Sequence, residues 1–223
     1  MVAPIVVPTK GRTALLAGAS GLVGSALLTE LLADERYSTV LCIGRRRLAL
    51  EHPKLKQQIV DFQALPALPA VDDVYIALGT TLKVAGSQAA MRALDVDAVV
   101  AVARAAQAAG AQRLGVVSSM GADARSAVFY TRIKGEMEEA LVQLGFAQTV
   151  IARPSQLSGP RAALGQPDRL AERLALQVMG WIKPLVPANY QPVAAQLVAT
   201  ALLDAVAHNT PGVTRLLSGQ MQT

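Results

Sequence analysis

Residues 13–24 read Thr-Ala-Leu-Leu-Ala-Gly-Ala-Ser-Gly-Leu-Val-Gly, an apolar run followed by a turn with a glycine at every third position. In a dinucleotide-binding turn, the first glycine lets the chain leave a strand sharply, the second lets backbone approach a pyrophosphate, and the third lets the next helix pack closely. Free N–H groups at the start of that helix point at the phosphates. Three glycines can share this spacing by chance, so the prediction depends on the apolar run before the turn and the helical pattern after it. The residues predicted to bind the cofactor here are Gly18, Ala19, Ser20, Gly21, Leu22, Val23 and Gly24.

Apolar runs and helical patterns alternate along most of the chain. Short apolar runs predict strands at 13–17, 39–43, 59–61, 73–78, 114–117 and 149–152. Helical spacing predicts helices over 22–32, 89–109 and 127–144. Strands that are apolar throughout and are separated by helices indicate a parallel sheet that is covered on both faces. The sequence therefore predicts an α/β protein with a doubly wound parallel sheet, the Rossmann fold.

The tail from about residue 155 is richer in proline and predicts helices near 167–181 and 192–208 and a last strand at 212–217. A chain of 223 residues fits one large domain, and this tail is too short to be another. We therefore expect one NAD(P)-binding domain over residues 1–223, in which 155–223 form a small substrate lid. Tyr190 could line the mouth of the pocket.

Composition excludes several classes of protein. One cysteine, Cys42, cannot form an internal disulfide, and two distant histidines do not predict a metal site. The net charge is +5, but its one dense basic run lacks the aromatic or groove-reading context of a nucleic-acid binder. The longest uncharged run, 184–203, is broken by prolines and does not predict a membrane span. We expect a cytoplasmic protein with a small-molecule substrate and no nucleic-acid partner, and monomer and homodimer both stay open.

The end of the second predicted strand bears on which cofactor binds. An acidic residue at this position would hold the ribose hydroxyls of NAD, but this strand ends in Gly44-Arg45-Arg46. Two guanidinium groups suit the 2′-phosphate of NADP, although arginines in a turn can also form a merely solvated surface. We therefore predict that Arg45 and Arg46 select NADP over NAD.

Tyr130 and Lys134 are four residues apart in a predicted helix and so share one face. A nearby ammonium ion favours the phenolate of a tyrosine, and a lysine can also bind ribose hydroxyls. Ser118 and Ser119 end the preceding strand, where a hydroxyl could hydrogen-bond a carbonyl oxygen as it becomes an alkoxide. The alternative is that Tyr130 is simply a packed helix residue.

The segments GASGLVG, SSMGAD, YTRIK and IARP together resemble the short-chain dehydrogenase/reductase superfamily. More closely, the stretch VVSSMGADARSAVFYTRIKGEMEEAL is similar to the atypical branch related to the Tat-interacting oxidoreductase and its small bacterial homologues. The resemblance implies an NADP-binding Rossmann fold with Tyr130 as acid–base residue, Lys134 as ribose-binding partner, and Ser119 or Ser118 as the polarising hydroxyl. It also implies cofactor contacts from Asp61 and Phe62 near the adenine, Leu78, Gly79 and Thr80 along the ribose, and Arg153 and Pro154 near the nicotinamide.

One departure from the superfamily concerns Asp95. Many members carry an asparagine in the helix before the SS strand, where it supports a proton relay, and the matching segment here offers an aspartate.

The function we expect is hydride transfer between NADP and a small or medium apolar carbonyl or alcohol. One rival is a cofactor-binding regulator without turnover, which Asp95 favours, and another is a non-redox enzyme such as an epimerase.

Overall fold

The computed structural model describes residues 11–158 and 187–222. Its centre is a seven-stranded parallel sheet with the strand order β3-β2-β1-β4-β5-β6-β9. The strands are β1 (Arg12–Ala17), β2 (Tyr37–Gly44), β3 (Leu55–Ile59), β4 (Asp73–Ile76), β5 (Arg113–Val117), β6 (Gln148–Arg153) and β9 (Gly212–Leu217), and β7 (Leu157–Ser158) pairs separately with β8 (Val193–Ala194). The order reverses between β1 and β4, and ligands of such sheets bind outside the carboxyl ends of the strands at that point. The predicted Rossmann fold is confirmed.

Helices cover both faces of the sheet. They are α1 (Leu22–Ala33), α2 (Leu82–Ala85), α3 (Gln88–Arg92), α4 (Ala98–Ala108), α5 (Phe129–Gln143) and α6 (Ala195–Ala207), with a π-helical turn at Ala93–Asp97 and single 3₁₀ turns at Ala188–Tyr190 and Ser218–Met221. Strand residues alternate between two apolar clusters: Leu15 packs with Val102 and Ile133 on the side of α4 and α5, whereas Leu16 packs with α1 and α6. This division explains why β1 is apolar at successive positions.

Two predicted elements differ from those in the structure. The third strand is Leu55–Ile59 rather than 59–61, and its Lys56, Gln57 and Gln58 hid it from a search for apolar runs. It lies at the edge of the sheet, where polar side chains are tolerated. The helix predicted over 89–109 is interrupted by the π turn at Ala93–Asp97.

The described part of the tail completes the sheet. The last strand matches the predicted 212–217 and pairs with β6, and α6 packs against α1 on one face. Residues 187–222 therefore contribute a strand and a helix to the body of the fold, beyond the lid expected for the whole tail. The helix predicted at 167–181 lies outside the described residues, and the lid stays a prediction.

A buried polar cluster joins the amino ends of β2, β4 and β5. Arg113 Nε bonds Asp73 Oδ1, the Tyr37 hydroxyl donates to Asp73 Oδ2 over 2.7 Å, and the Tyr37 and Tyr75 hydroxyl oxygens are 2.9 Å apart. Burial raises the pKa of both phenols well above 10, so neither carries charge beside Asp73 at neutral pH. The cluster lies where these strands begin, and the predicted cofactor turn lies at the opposite end of the sheet, where β1 ends.

Candidate functional site

The glycine turn leads from β1 into α1, and packing requires two of its glycines. Gly18 has a φ of +94°, and a Cβ there would lie 2.5 Å from the carbonyl oxygen of Ala77, just after β4. A Cβ on Gly24 would lie 2.0 Å from the carbonyl oxygen of Gly18. These are the sharp turn and the close helix approach that the sequence predicts.

Gly21 meets a different requirement. Its backbone is ordinary, with φ −84°, and a Cβ would come no closer than 3.3 Å to any atom beyond its neighbours. It is the N-cap of α1, and because it has no side chain it makes no side-chain cap hydrogen bond to the first N–H groups of this helix. An open helix N-terminus beside a residue without a side chain fits a pyrophosphate, because its N–H groups can then donate to the phosphate oxygens. Ala19 is buried and Ser20 is exposed in the same turn.

Gly21→Val is expected to weaken NADPH binding by about 100-fold or more. The valine side chain would occupy the phosphate position and remove about two charge-assisted hydrogen bonds, each contributing about 1.5 kcal/mol. Titration calorimetry measures the affinity, and thermal melting should show the fold retained. Gly24→Ala is the contrasting variant, since its clash with Gly18 should lower the melting temperature itself. Unchanged NADPH affinity in Gly21→Val would place the phosphate site elsewhere.

The residues predicted to contact the adenine end of the cofactor lie directly after β2 and β3, which are neighbouring strands. Arg45 and Arg46 are exposed directly after β2. Asp61 is exposed after β3, and its Oδ1 accepts the Gln63 N–H over 2.9 Å. Phe62 is 8% exposed, and its side chain packs in the apolar core. Contacts of these residues with the cofactor stay predictions.

Residues 78–80 follow β4 and pass over a buried ion pair. Lys134 Nζ lies 2.7 Å from Asp95 Oδ1, and Asp95 Oδ2 accepts the Thr80 N–H over 2.9 Å. Lys134 is 3% exposed and Asp95 is fully buried. A Cβ on Gly79 would lie 3.5 Å from Asp95 Oδ1 and 3.8 Å from Lys134 Nζ, so the loop runs directly against the pair. Leu78 packs partly buried against the core.

Tyr130 forms part of the wall of a cavity of about 380 Å³. Its side chain is 39% exposed, and Lys134 Nζ lies 6.0 Å from the centre of its ring. The described lining residues are Thr80, Thr81, Leu82, Gln88, Met91, Val128, Phe129 and Tyr130. The predicted Tyr–Lys pair thus meets the loop after β4 beside a mainly apolar cavity. Tyr190 is exposed but is not among these described lining residues.

The two serines after β5 differ in their hydrogen bonds. The Ser118 hydroxyl donates to Glu138 Oε1 over 2.6 Å. Ser119 is 7% exposed, and within residues 11–158 and 187–222 its hydroxyl has no hydrogen-bond partner. A buried hydroxyl without a partner costs stability unless a ligand or water satisfies it. Ser119 is therefore the better candidate for the polarising hydroxyl.

Arg153 is bound to Glu138, a contact that the sequence did not predict. Its Nε lies 2.9 Å from Oε1 and its Nη2 lies 2.6 Å from Oε2 of this carboxylate. Pro154 is buried, and its carbonyl oxygen accepts the Met120 N–H over 2.8 Å. Arg153, through Glu138, and Pro154 therefore hold residues 118–120, the serine segment, in place. Their contact with a nicotinamide stays a prediction. The spacing Tyr130, Lys134, Glu138 on one helix face was the signal that could have revealed this carboxylate.

Comparison with known proteins places these features in a family. Residues 18–162, more than half of the chain, match a family described as NAD(P)H-binding. The chain belongs to this family. The matched range begins at the first glycine of the turn and includes Ser119, Tyr130 and Lys134. The family description covers both NAD and NADP.

Curated relatives agree with the resemblance found in the sequence. Protein HTATIP2 of Rattus norvegicus is 33% identical over 220 residues, which cover 96% of this chain and 86% of that protein. The protein named fmp52, mitochondrial, of Emericella nidulans is 38% identical over 170 residues, covering 72% of this chain and 71% of its own. The predicted relation to the branch of the Tat-interacting protein is confirmed.

Solved structures share the fold at low sequence identity. An oxidoreductase of the short-chain dehydrogenase/reductase family from Burkholderia thailandensis superposes with a TM-score of 0.69 at 22% identity, covering 96% of this chain and 94% of its own. MoeE5 in complex with UDP-glucose and NAD gives a TM-score of 0.69 at 19% identity, covering 93% of this chain and 76% of its own.

Within the part of this chain that the structure describes, no helix has the length and apolar character needed to cross a bilayer. No three His, Cys, Asp or Glu side chains of that part gather as metal ligands would.

Proposed function

We propose that the protein is an NADP-dependent oxidoreductase of short-chain dehydrogenase type, acting on a carbonyl or alcohol of a small or medium apolar substrate. The observation that carries this proposal is the position of Tyr130. Its ring forms part of the cavity wall, and the Lys134 ammonium lies 6.0 Å from the ring centre. An acid–base side chain and a cation on one helix face beside a cavity are what proton transfer to a bound substrate needs.

The glycine turn at residues 18–24 would hold the pyrophosphate, and Arg45 and Arg46 would hold the 2′-phosphate. A bound nicotinamide cofactor supplies or accepts the hydride. Lys134 would bind its ribose and stabilise charge on Tyr130. The Tyr130 hydroxyl would donate its proton to the substrate oxygen, and the Ser119 hydroxyl would hydrogen-bond the same oxygen.

The cavity supports an apolar substrate. Its apolar lining residues are Leu82, Met91, Val128 and Phe129, and its polar lining residues are Thr80, Thr81, Gln88 and Tyr130. A volume of about 380 Å³ is near the lower end of small-molecule sites, which run from about 300 to 1,000 Å³. We infer a compact apolar body with one carbonyl or hydroxyl group.

A second candidate is a regulator that binds NADP without turnover. Asp95 favours it, because a carboxylate 2.7 Å from Lys134 Nζ offsets the positive charge that would act on Tyr130. Two experiments distinguish the candidates. NADPH and NADH are titrated first, and aldehydes, ketones and quinones are then screened for oxidation of the reduced cofactor by its absorbance. Turnover of any of them supports the enzyme, whereas tight NADPH binding with no turnover in the screen supports the regulator.

NADPH is expected to bind about tenfold or more tightly than NADH. One charge-assisted contact to the 2′-phosphate contributes about 1.5–3 kcal/mol, and Arg45 and Arg46 are both exposed at the end of β2. Arg45→Ala should bring the ratio of the NADPH affinity to the NADH affinity, measured by calorimetry, closer to one. Arg47→Ala is the matched control, because Arg47 is exposed in the same run and is not assigned to the site. Equal affinities of the unmodified protein for the two cofactors would remove the basis for NADP preference.

A further inference from the structure

Asp95 connects two parts of the candidate site through its two oxygens. Oδ1 lies 2.7 Å from Lys134 Nζ on α5, and Oδ2 accepts the Thr80 N–H over 2.9 Å from the loop after β4. The carboxylate is fully buried. Lys134 is the predicted ribose-binding lysine, and Thr80 lines the cavity beside Tyr130. One carboxylate thus holds a cation of the cofactor site and a wall of the cavity together.

The local backbone puts Asp95 in this position. Residues Ala93–Asp97 form a π-helical turn between α3 and α4, and such turns insert an extra residue and often occur at functional sites. Within this turn Asp95 is buried, while Asp97 is exposed. The turn therefore contains two aspartates in opposite surroundings, and only Asp95 contacts Lys134 and Thr80.

Charge and hydrogen bonding explain why an aspartate suits this position. A buried ammonium ion without a counter-charge is costly, and here one oxygen of the carboxylate forms an ion pair with the cation while the other accepts a backbone N–H. An asparagine could still accept the Thr80 N–H with its oxygen. Its NH₂ group would then face Lys134 Nζ, donor against donor, and the lysine would leave its position.

We propose that Asp95 is a positioning residue that fixes Lys134 and the Thr80 loop relative to each other, and so couples cofactor binding to the shape of the cavity wall. This inference rests on the proposed function, because it assigns Lys134 to the cofactor. This role differs from the proton relay that an asparagine supports in many members of the superfamily, since the side chain of Asp95 contacts the lysine directly.

The test compares Asp95→Asn with Asp97→Asn. NADPH affinity, measured by fluorescence titration, should fall about tenfold in Asp95→Asn, equivalent to about 1.4 kcal/mol, and should stay unchanged in Asp97→Asn. Hydrogen exchange at the Thr80 amide should become faster in Asp95→Asn only. Asp95→Ser, which leaves room for a water molecule, is measured in the same way as a second variant.

A double-mutant cycle separates positioning from a merely structural role. If Asp95 acts through Lys134, Asp95→Asn should change NADPH affinity less than about twofold in a Lys134→Met background. A structural role predicts the same tenfold fall in both backgrounds, and that result would overturn the inference. So would failure of both Asp95 variants to fold while Asp97→Asn folds, because the carboxylate would then serve the fold.

The inference and the proposed function fail in different ways. If the unmodified protein binds no nicotinamide cofactor, both fall together. If it binds NADPH and turns over a carbonyl compound, but Asp95→Asn binds NADPH with unchanged affinity, the positioning role alone is wrong.

Discussion

Tyr130→Phe is expected to lose at least about 100-fold in turnover and to keep most of the NADPH affinity. Positioned proton transfer contributes about 10²–10⁴-fold to rate, and the variant lacks only the hydroxyl that would carry the proton. The ring remains, so the cavity wall it forms should keep its shape. Steady-state kinetics on a substrate from the carbonyl screen measures the rate, and calorimetry measures the affinity.

Tyr190→Phe is the matched control for this experiment. Tyr190 is 61% exposed and is not among the described residues that line the cavity, so loss of its hydroxyl should change neither turnover nor affinity. If Tyr130→Phe turns the substrate over at the normal rate, Tyr130 is a packed helix residue and the proposed acid–base role is wrong. The regulator would give no turnover in either variant, with NADPH binding retained.

Glu138→Ala is expected to lower the free energy of unfolding by about 3 kcal/mol. The 2%-exposed carboxylate accepts hydrogen bonds from the Ser118 hydroxyl and Arg153 Nε at Oε1 and from Arg153 Nη2 at Oε2. Removing one partner of a buried ion pair typically costs about 3–5 kcal/mol, and Arg153 keeps some solvent contact, which favours the lower value. Urea unfolding followed by circular dichroism measures the change.

Glu139→Ala provides the comparison, because Glu139 is the next residue on α5 and is exposed. Its substitution should change stability by less than about 0.5 kcal/mol. A loss below 1 kcal/mol in Glu138→Ala would mean that the serine segment is held without this carboxylate. Arg215 lies 3.4 Å from the same carboxylate at a more exposed position and should contribute little.

The sequence predicts the strands of the sheet centre well, because each is a short apolar run whose successive residues serve both faces. Leu15 and Leu16 in β1 are an example, since they pack into opposite clusters. The edge strand Leu55–Ile59 breaks that rule with three polar residues, and periodicity alone could not place it. The roles of Gly18 and Gly24 in the turn could be predicted from the sequence, because only glycine fits where packing leaves no room for a side chain.

The site was only partly predictable, because its contacts join residues far apart in the chain. The spacing of Tyr130 and Lys134 gave one helix face correctly. The partner of Lys134 is Asp95, about forty residues away, which only the packing of the π turn against α5 reveals. A carboxylate on α5 binds the guanidinium of Arg153, a contact that its position at the end of β6 did not predict, and its place beside the nicotinamide stays a prediction. The roles of the cofactor-binding residues stay predictions.

The buried cluster at the amino ends of the strands bears on how the sheet finds its alignment. In the pairing of β4 with β5, Asp73 lies directly opposite Arg113, forty residues later in the chain. A slip of one residue would separate Asp73 from Arg113 and leave a buried charge on each side without its partner. The cluster therefore acts as an alignment key: it penalises misregistered sheets, and with β4 and β5 aligned, Thr80 and Ser119 reach the same edge.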